Sequence, residues 1–153
     1  MADIRGKRPT RRRAVAVGEL HAGVEAFAAI VERRLPKGDA LVMAEIAGLQ
    51  GAKQASSLMP LCHPLLLELV RVRCVPVADR NAIRVYCEVA TEARTGVEME
   101  ALAGASSALL TLYDLTKPVD PADLVRAIAA LTGTAGTSGE PEAPRVTPRD
   151  SQM

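Results

Sequence analysis

Apolar positions along this chain follow two different periods, and the switches between them mark its elements. From Gly23 to Arg34, Val24, Phe27, Ala28 and Val31 recur at helical spacing. Pro36 and Gly38 then break the chain. A second helical pattern follows Asp39, carrying Leu41, Met43, Ala44, Ile46, Ala47 and Gln50, with Asp39 placed to cap it. The period drops to two where Val70, Val72 and Cys74 alternate with Arg71 and Arg73, until Pro76 ends that run or marks it as an edge. Ile83, Val85, Cys87 and Val89 alternate in the same way with Arg84, Tyr86 and Glu88. The short polar link Ala78-Asp79-Arg80-Asn81 joins the two runs into a hairpin with one buried face. After Thr95-Gly96 the pattern is helical again, through Met99, Leu102, Ala103, Ser106, Leu109, Leu110 and Tyr113, and Pro118 ends it.

Three stretches follow neither period cleanly. Residues 1–16 are basic and extended, with Pro9 excluding a helix. Residues 56–65 (SSLMPLCHPL) hold Pro60 and Pro64, so they form neither a regular helix nor a central strand. They read as a rigid loop that carries a Cys–His pair. Residues 120–132 suit a helix opened by Asp120-Pro121, yet Leu124, Arg126, Ile128 and Ala130 also suit a strand. The Gly-, Thr-, Ser- and Pro-rich end is expected to be a disordered tail. The expectation is an α+β sandwich of helices on an antiparallel sheet. It forms one domain over residues 1–133 with a basic N-terminal segment, and 134–153 is the tail.

Composition narrows the function classes. Of the 153 residues, 48% are hydrophobic, but only Phe27, Tyr86 and Tyr113 are aromatic. Packing must therefore rely on aliphatic side chains and alanine. A core of small residues gains from burial between subunits, so an oligomer is expected. The formal charge of +1 gives no global pull towards nucleic acid or membrane. Arg5, Lys7, Arg8, Arg11, Arg12 and Arg13 form a local basic run without interleaved aromatics. No apolar run reaches the ~18 residues of a membrane span, and no apolar segment follows the basic start as in a secretory signal. The odd set Cys62, Cys74 and Cys87 points to reduced thiols in the cytoplasm and lacks zinc-site spacing.

Several local groups can carry chemistry. Lys37, in the turn Lys37-Gly38-Asp39, can meet phosphate beside the positive end of the following helix; a solvated turn is the plainer reading. His63 can donate to a substrate oxygen or shuttle a proton, or can be a packed histidine bonded to backbone. Cys62 reads as packing. Glu98-Met99-Glu100 opens a helix, where carboxylates cap the dipole or bind hydroxyl and amino donors. Asp114 and Lys117 share a helix face, as a surface ion pair or a coupled acid–base pair. In one continuous helix Glu98 and Asp114 stand ~24 Å apart at 1.5 Å per residue. If both act, the site combines residues of two chains.

The segments LPKGDALVMAEIAGLQGAK (35–53), LMPLCHPLLL (58–67), RTGVEMEALAGASSALLTLYDLTK (94–117) and TSG (137–139) extend this reading. In this order they resemble the signature blocks of the cyclic pyranopterin monophosphate synthases, the molybdenum cofactor biosynthesis protein C family. The resemblance spans roughly residues 3–139. It implies a ferredoxin-like α+β fold, an antiparallel sheet packed with helices. It also implies a homohexamer, a trimer of dimers with sites at dimer interfaces. The implied substrate is a small molecule, (8S)-3',8-cyclo-7,8-dihydroguanosine 5'-triphosphate. The implied products are cyclic pyranopterin monophosphate and pyrophosphate, made by a cytoplasmic lyase with no metal or organic cofactor. By position, Asp114 matches the family's catalytic aspartate, Lys117 an active-site lysine and Lys37 the lysine of the KGD turn. Leu61, Cys62 and His63 match a substrate-binding loop. Met99 and Glu100, with Glu98 beside them, match a second binding element, and Arg12 an arginine of the basic segment.

Two features depart from the family pattern. Where members end in K-S-G-G-K-S-G, this chain has Gly133-Thr134-Ala135-Gly136-Thr137-Ser138-Gly139, without either lysine. Lys53 is a candidate replacement cation. The chain also starts at the segment Ala2-Asp3-Ile4, without the strand that precedes it in most members. The alternative reading is a paralogue of the same fold that binds nucleotide or scaffolds an oligomer but turns over poorly. Nucleic-acid binding through the basic run ranks last.

Overall fold

The computed structural model describes residues 1–119 and, as backbone, residues 124–135. Its elements are β1 (Thr10–His21), α1 (Val24–Val31), α2 (Ala40–Lys53), α3 (Ala55–Leu58), β2 (Leu69–Val77), β3 (Ala82–Ala93), α4 (Glu98–Thr116) and β4 (Leu124–Ala135). The four strands form one sheet in the order β2-β3-β1-β4, and every neighbouring pair is antiparallel. With α2 and α4 as the long helices between strands, this is the ferredoxin-like α+β fold.

The strand missing from the periodic reading is central. β1 lies between β3 and β4, and Arg11, Arg12 and Arg13 belong to it instead of to a free basic arm. Its inward positions include Ala14, Ala16 and Leu20, all buried. Alanine and glycine contrast weakly with their neighbours, which hid the period of two. Its outward positions form ion pairs across the sheet. Arg13 and Arg71 both meet Glu88, at 2.8 and 2.9 Å, and Arg80 meets Glu19 at 3.0 Å.

The hairpin of β2 and β3 forms as the alternation required, with Val72, Cys74, Ile83, Val85, Cys87 and Val89 buried. β2 is an edge strand, which is why Pro76 fits within it. Residues 124–135 resolve as strand. Their pairing with β1 slips between Val15 and Ala16 and again between Glu19 and Leu20. Each slip inserts an extra β4 residue and breaks strict alternation, so no single period reads through the segment.

Helix phases differ from the sequence expectation. α1 buries Ala26, Ala29 and Ile30 and leaves Val24 and Val31 exposed. α2 buries Ala40, Leu41, Ala44, Gly48, Gly51 and Ala52, while Met43 and Ile46 face outwards. α4 buries Ala101, Ala105, Ala108, Leu109, Leu112 and Leu115, with Leu110 and Tyr113 outside. The small residues face inwards because the helices approach each other and the sheet closely. A Cβ on Gly104 would stand 2.4 Å from Cys87 Sγ and 3.0 Å from the Gly48 carbonyl oxygen.

The expected tail lies mostly outside the described residues, as do Gly136, Thr137, Ser138 and Gly139. Gly133 lies in β4, paired with Ala14. Among the described residues no helix is long and apolar enough to cross a membrane.

Candidate active site

α2 and α4 pack antiparallel. Gly48 lies against Gly104, Gly51 against Ser107 and Ala103, and the turn before α2 reaches the last turn of α4. This arrangement sorts the expected site residues into two groups at opposite ends of the helix pair.

At the first end, Asp114 stands between two lysines. Lys117 Nζ is 2.6 Å from Asp114 Oδ1, and Lys37 Nζ is 3.2 Å from Oδ2. All three side chains are about half exposed. The Asp114 carboxyl is held below its ordinary value by its hydrogen bond to Lys117 first, then by that to Lys37. The Lys117 ammonium is pushed up by the same bond to Asp114. The trio is thus a fixed carboxylate with an ammonium on each oxygen. Its net charge is positive, which suits a phosphorylated ligand.

At the other end, the loop after α3 carries Leu61, Cys62 and His63. Leu61 is exposed, while Cys62 and His63 are half-buried. His63 Nε2 donates to the Ala2 carbonyl oxygen at 2.9 Å, which puts the ring proton on Nε2. The Arg94 guanidinium donates to the Arg5 carbonyl oxygen at 3.4 Å. Residues 2–5 thereby bridge the loop and the chain leading into α4. Thr91 Oγ1 donates to the Leu66 carbonyl oxygen at 2.6 Å and ties the same loop to the end of β3. Arg12 Nε donates to the Ala93 carbonyl oxygen at 3.5 Å, so Arg12 belongs to this end too.

α4 begins here. Glu98 folds back over Gly96, where a Cβ would stand 2.0 Å from Glu98 Oε2. Met99 is partly exposed, but Glu100 is only 5% exposed. Burial pushes the Glu100 carboxyl up, opposed by its backbone hydrogen bond and reinforced by the Glu98 charge. A carboxyl of raised pKa beside an exposed carboxylate is a potential proton donor. Lys53 is exposed in the last turn of α2, where Gly51 and Ala52 pack on the middle of α4.

One chain does not bring the two groups together. Sixteen positions of α4 separate Glu98 from Asp114, ~24 Å along the axis. Periodicity carried no signal for the contact of residues 2–5 with His63, because its acceptor is a main-chain carbonyl. Among the described residues no group of three His, Cys, Asp or Glu side chains is placed to hold a metal ion.

The fold defines a ferredoxin-like α+β protein, and the cation-flanked carboxylate is its candidate site for an anionic small molecule. The MoaC family model matches residues 1–136, and the chain belongs to that family. It is 45% identical over 122 residues to the cyclic pyranopterin monophosphate synthase of Dinoroseobacter shibae, covering 80% of this chain and 77% of that one. The synthase of that name from Helicobacter pylori is 42% identical over 120 residues, covering 78% and 76%. The molybdenum cofactor biosynthesis bifunctional protein of Synechococcus elongatus is 49% identical over 120 residues. That match covers 78% of this chain and 38% of the bifunctional relative's length.

Proposed function

We propose that this chain is a cyclic pyranopterin monophosphate synthase, a lyase of molybdenum cofactor biosynthesis. It converts (8S)-3',8-cyclo-7,8-dihydroguanosine 5'-triphosphate to cyclic pyranopterin monophosphate and releases pyrophosphate. Family membership and the names of the relatives support the reaction. The observation that carries it onto this chain is Asp114 clasped by Lys37 and Lys117.

The chemistry suits that trio. Opening a purine ring and closing a pterin require repeated proton transfers to nitrogen and oxygen. An ionised carboxylate accepts protons and a neighbouring ammonium returns them, each worth typically ~10²–10⁴-fold. Forming the cyclic phosphate requires a sugar hydroxyl to attack the α-phosphorus as pyrophosphate leaves. Lys37 and Lys117 offset the negative charge that grows there. Arg12, Lys53, Leu61, Cys62, His63, Glu98, Met99 and Glu100 serve as the binding half, with Glu100 as a donor and His63 Nδ1 as an acceptor towards the base or sugar.

The distance between the halves supports a site completed by a second copy of the chain, within a homo-oligomer that we take to be a hexamer of three dimers. A cytoplasmic setting with reduced cysteines belongs to the same reading.

Incubation with the cyclised triphosphate tests the proposal. Equal amounts of pterin and pyrophosphate are expected. Tight binding without turnover would replace it with the impaired-paralogue reading, which the absence of lysine at Gly133 and Thr137 favours.

A further inference from the structure

Lys37 sits in the turn that joins α1 to α2, outside either helix. Arg33 leaves α1 in the left-handed region at φ 56°, and Gly38 turns the chain at φ 104°, with its N–H donating to the Leu35 carbonyl oxygen at 3.1 Å. Asp39 closes the turn. Its Oδ1 accepts the N–H groups of Leu41 at 3.1 Å and Val42 at 3.2 Å, and its Oδ2 stands 3.2 Å from Arg33 Nε. One carboxylate thus holds the start of α2 and touches the end of α1, two residues beyond the lysine that meets Asp114.

We propose that Asp39 is a positioning residue for Lys37: by capping the first turn of α2, it sets the backbone from which the Lys37 ammonium reaches Asp114. The Lys37 side chain is 55% exposed, so placement of its backbone decides where its charge lies. Of the two Asp39 contacts, the cap carries the effect. Arg33 is 66% exposed and its ion pair is screened by solvent, whereas the cap satisfies two N–H groups that the helix cannot. Ala40 and Leu41, just beyond the cap, are buried, so the capped turn is anchored in the core. This inference rests on the reading of Lys37 and Asp114 as site residues.

The test follows the Asp114 carboxyl by carbon NMR in the full chain, from neutral pH downwards, in wild type, Lys37→Met, Asp39→Ala and Asp39→Asn. The charged groups facing Asp114 are Lys37 from the turn and Lys117 from α4, and Tyr113 acts on Lys117. Losing the Lys37 contact lets Asp114 protonate at higher pH, while Lys117 still holds part of the depression. Asp39→Ala is expected to shift the titration upwards, in the direction of Lys37→Met. Asp39→Asn, which can still cap, is expected to titrate with wild type. In turnover, the acid limb of kcat should move with the NMR titration. A wild-type titration in Asp39→Ala overturns the proposal, and so does a shift in Asp39→Asn as large as in Asp39→Ala. The NMR arm needs no substrate. A wild-type protein without turnover, but with the expected titrations, would sink the enzymatic reading and leave this inference standing.

Discussion

Lys37 and Asp114 lie 77 positions apart in the chain, yet their side chains meet at 3.2 Å. That contact exists because α2 and α4 run antiparallel, so the start of one lies beside the end of the other. Lys117, one turn beyond Asp114, takes the second carboxylate oxygen. A pair legible as a surface ion pair becomes a three-residue cluster only in the folded chain.

Asp114→Asn should remove the carboxylate without removing packing, since the side chain is exposed. Turnover is expected to fall by ~10²–10⁴-fold, the usual contribution of a positioned acid–base group. The melting temperature should barely change. Parallel pterin-release and thermal-melt measurements check both.

A mixture of Asp114→Asn and His63→Ala chains should be more active than either alone. Each variant damages a different end of the helix pair, and a mixed dimer restores one intact composite site. Subunit exchange followed by an activity assay measures this. Absence of recovery would count against a shared site.

Glu100 makes stability fall as pH rises. Burial lifts its folded-state pKa above the ordinary value of 4.5, so folding favours the protonated form. The resulting destabilisation is absent below the unfolded pKa and complete above the folded one. Glu100→Gln should therefore melt higher than wild type at neutral pH, with the gap closing below pH ~4.5. Melting curves across that range give the sign.

Gly104→Ala should destabilise despite alanine's better helix propensity. The added Cβ meets Cys87 Sγ at 2.4 Å and the Gly48 carbonyl at 3.0 Å, and the carbonyl belongs to a packed helix. Overpacking costs about 1–3 kcal/mol, against about 1 kcal/mol gained in propensity. Urea unfolding should show a net loss. Activity should fall too, because spreading α2 from α4 separates Lys37 from Asp114.

Cys62 should be the thiol that alkylating reagents reach in the native protein. It is half-buried in the loop, whereas Cys74 and Cys87 are buried in the sheet. Burial also pushes the Cys87 thiol up to about 12, which leaves almost no reactive thiolate near neutral pH. Mass spectrometry after brief labelling with iodoacetamide distinguishes the three, and the substrate should slow the reaction at Cys62.

Much of this protein was decided by local sequence. The β2–β3 hairpin alternates apolar and polar residues with good contrast, and Asp39 stands where a helix needs an acceptor. The motif resemblance of residues 35–53, 58–67 and 94–117 singles out Lys37, Asp114, Lys117 and the Cys62–His63 loop without reference to geometry. Tertiary structure decided the rest, because the deciding forces act between distant elements. β1 is central although its inward alanines and glycine carry little hydrophobic signal, since small residues are what close helix–sheet packing admits. The same packing turned the helices so that Ala26, Gly48 and Ala105 face inwards and Val24, Ile46 and Leu110 outwards. β4 lost its period to two slips in register. The antiparallel crossing of α2 and α4 joined Lys37 to Asp114 and kept His63 at the far end, because side chains meet according to helix direction and not according to their order in the chain.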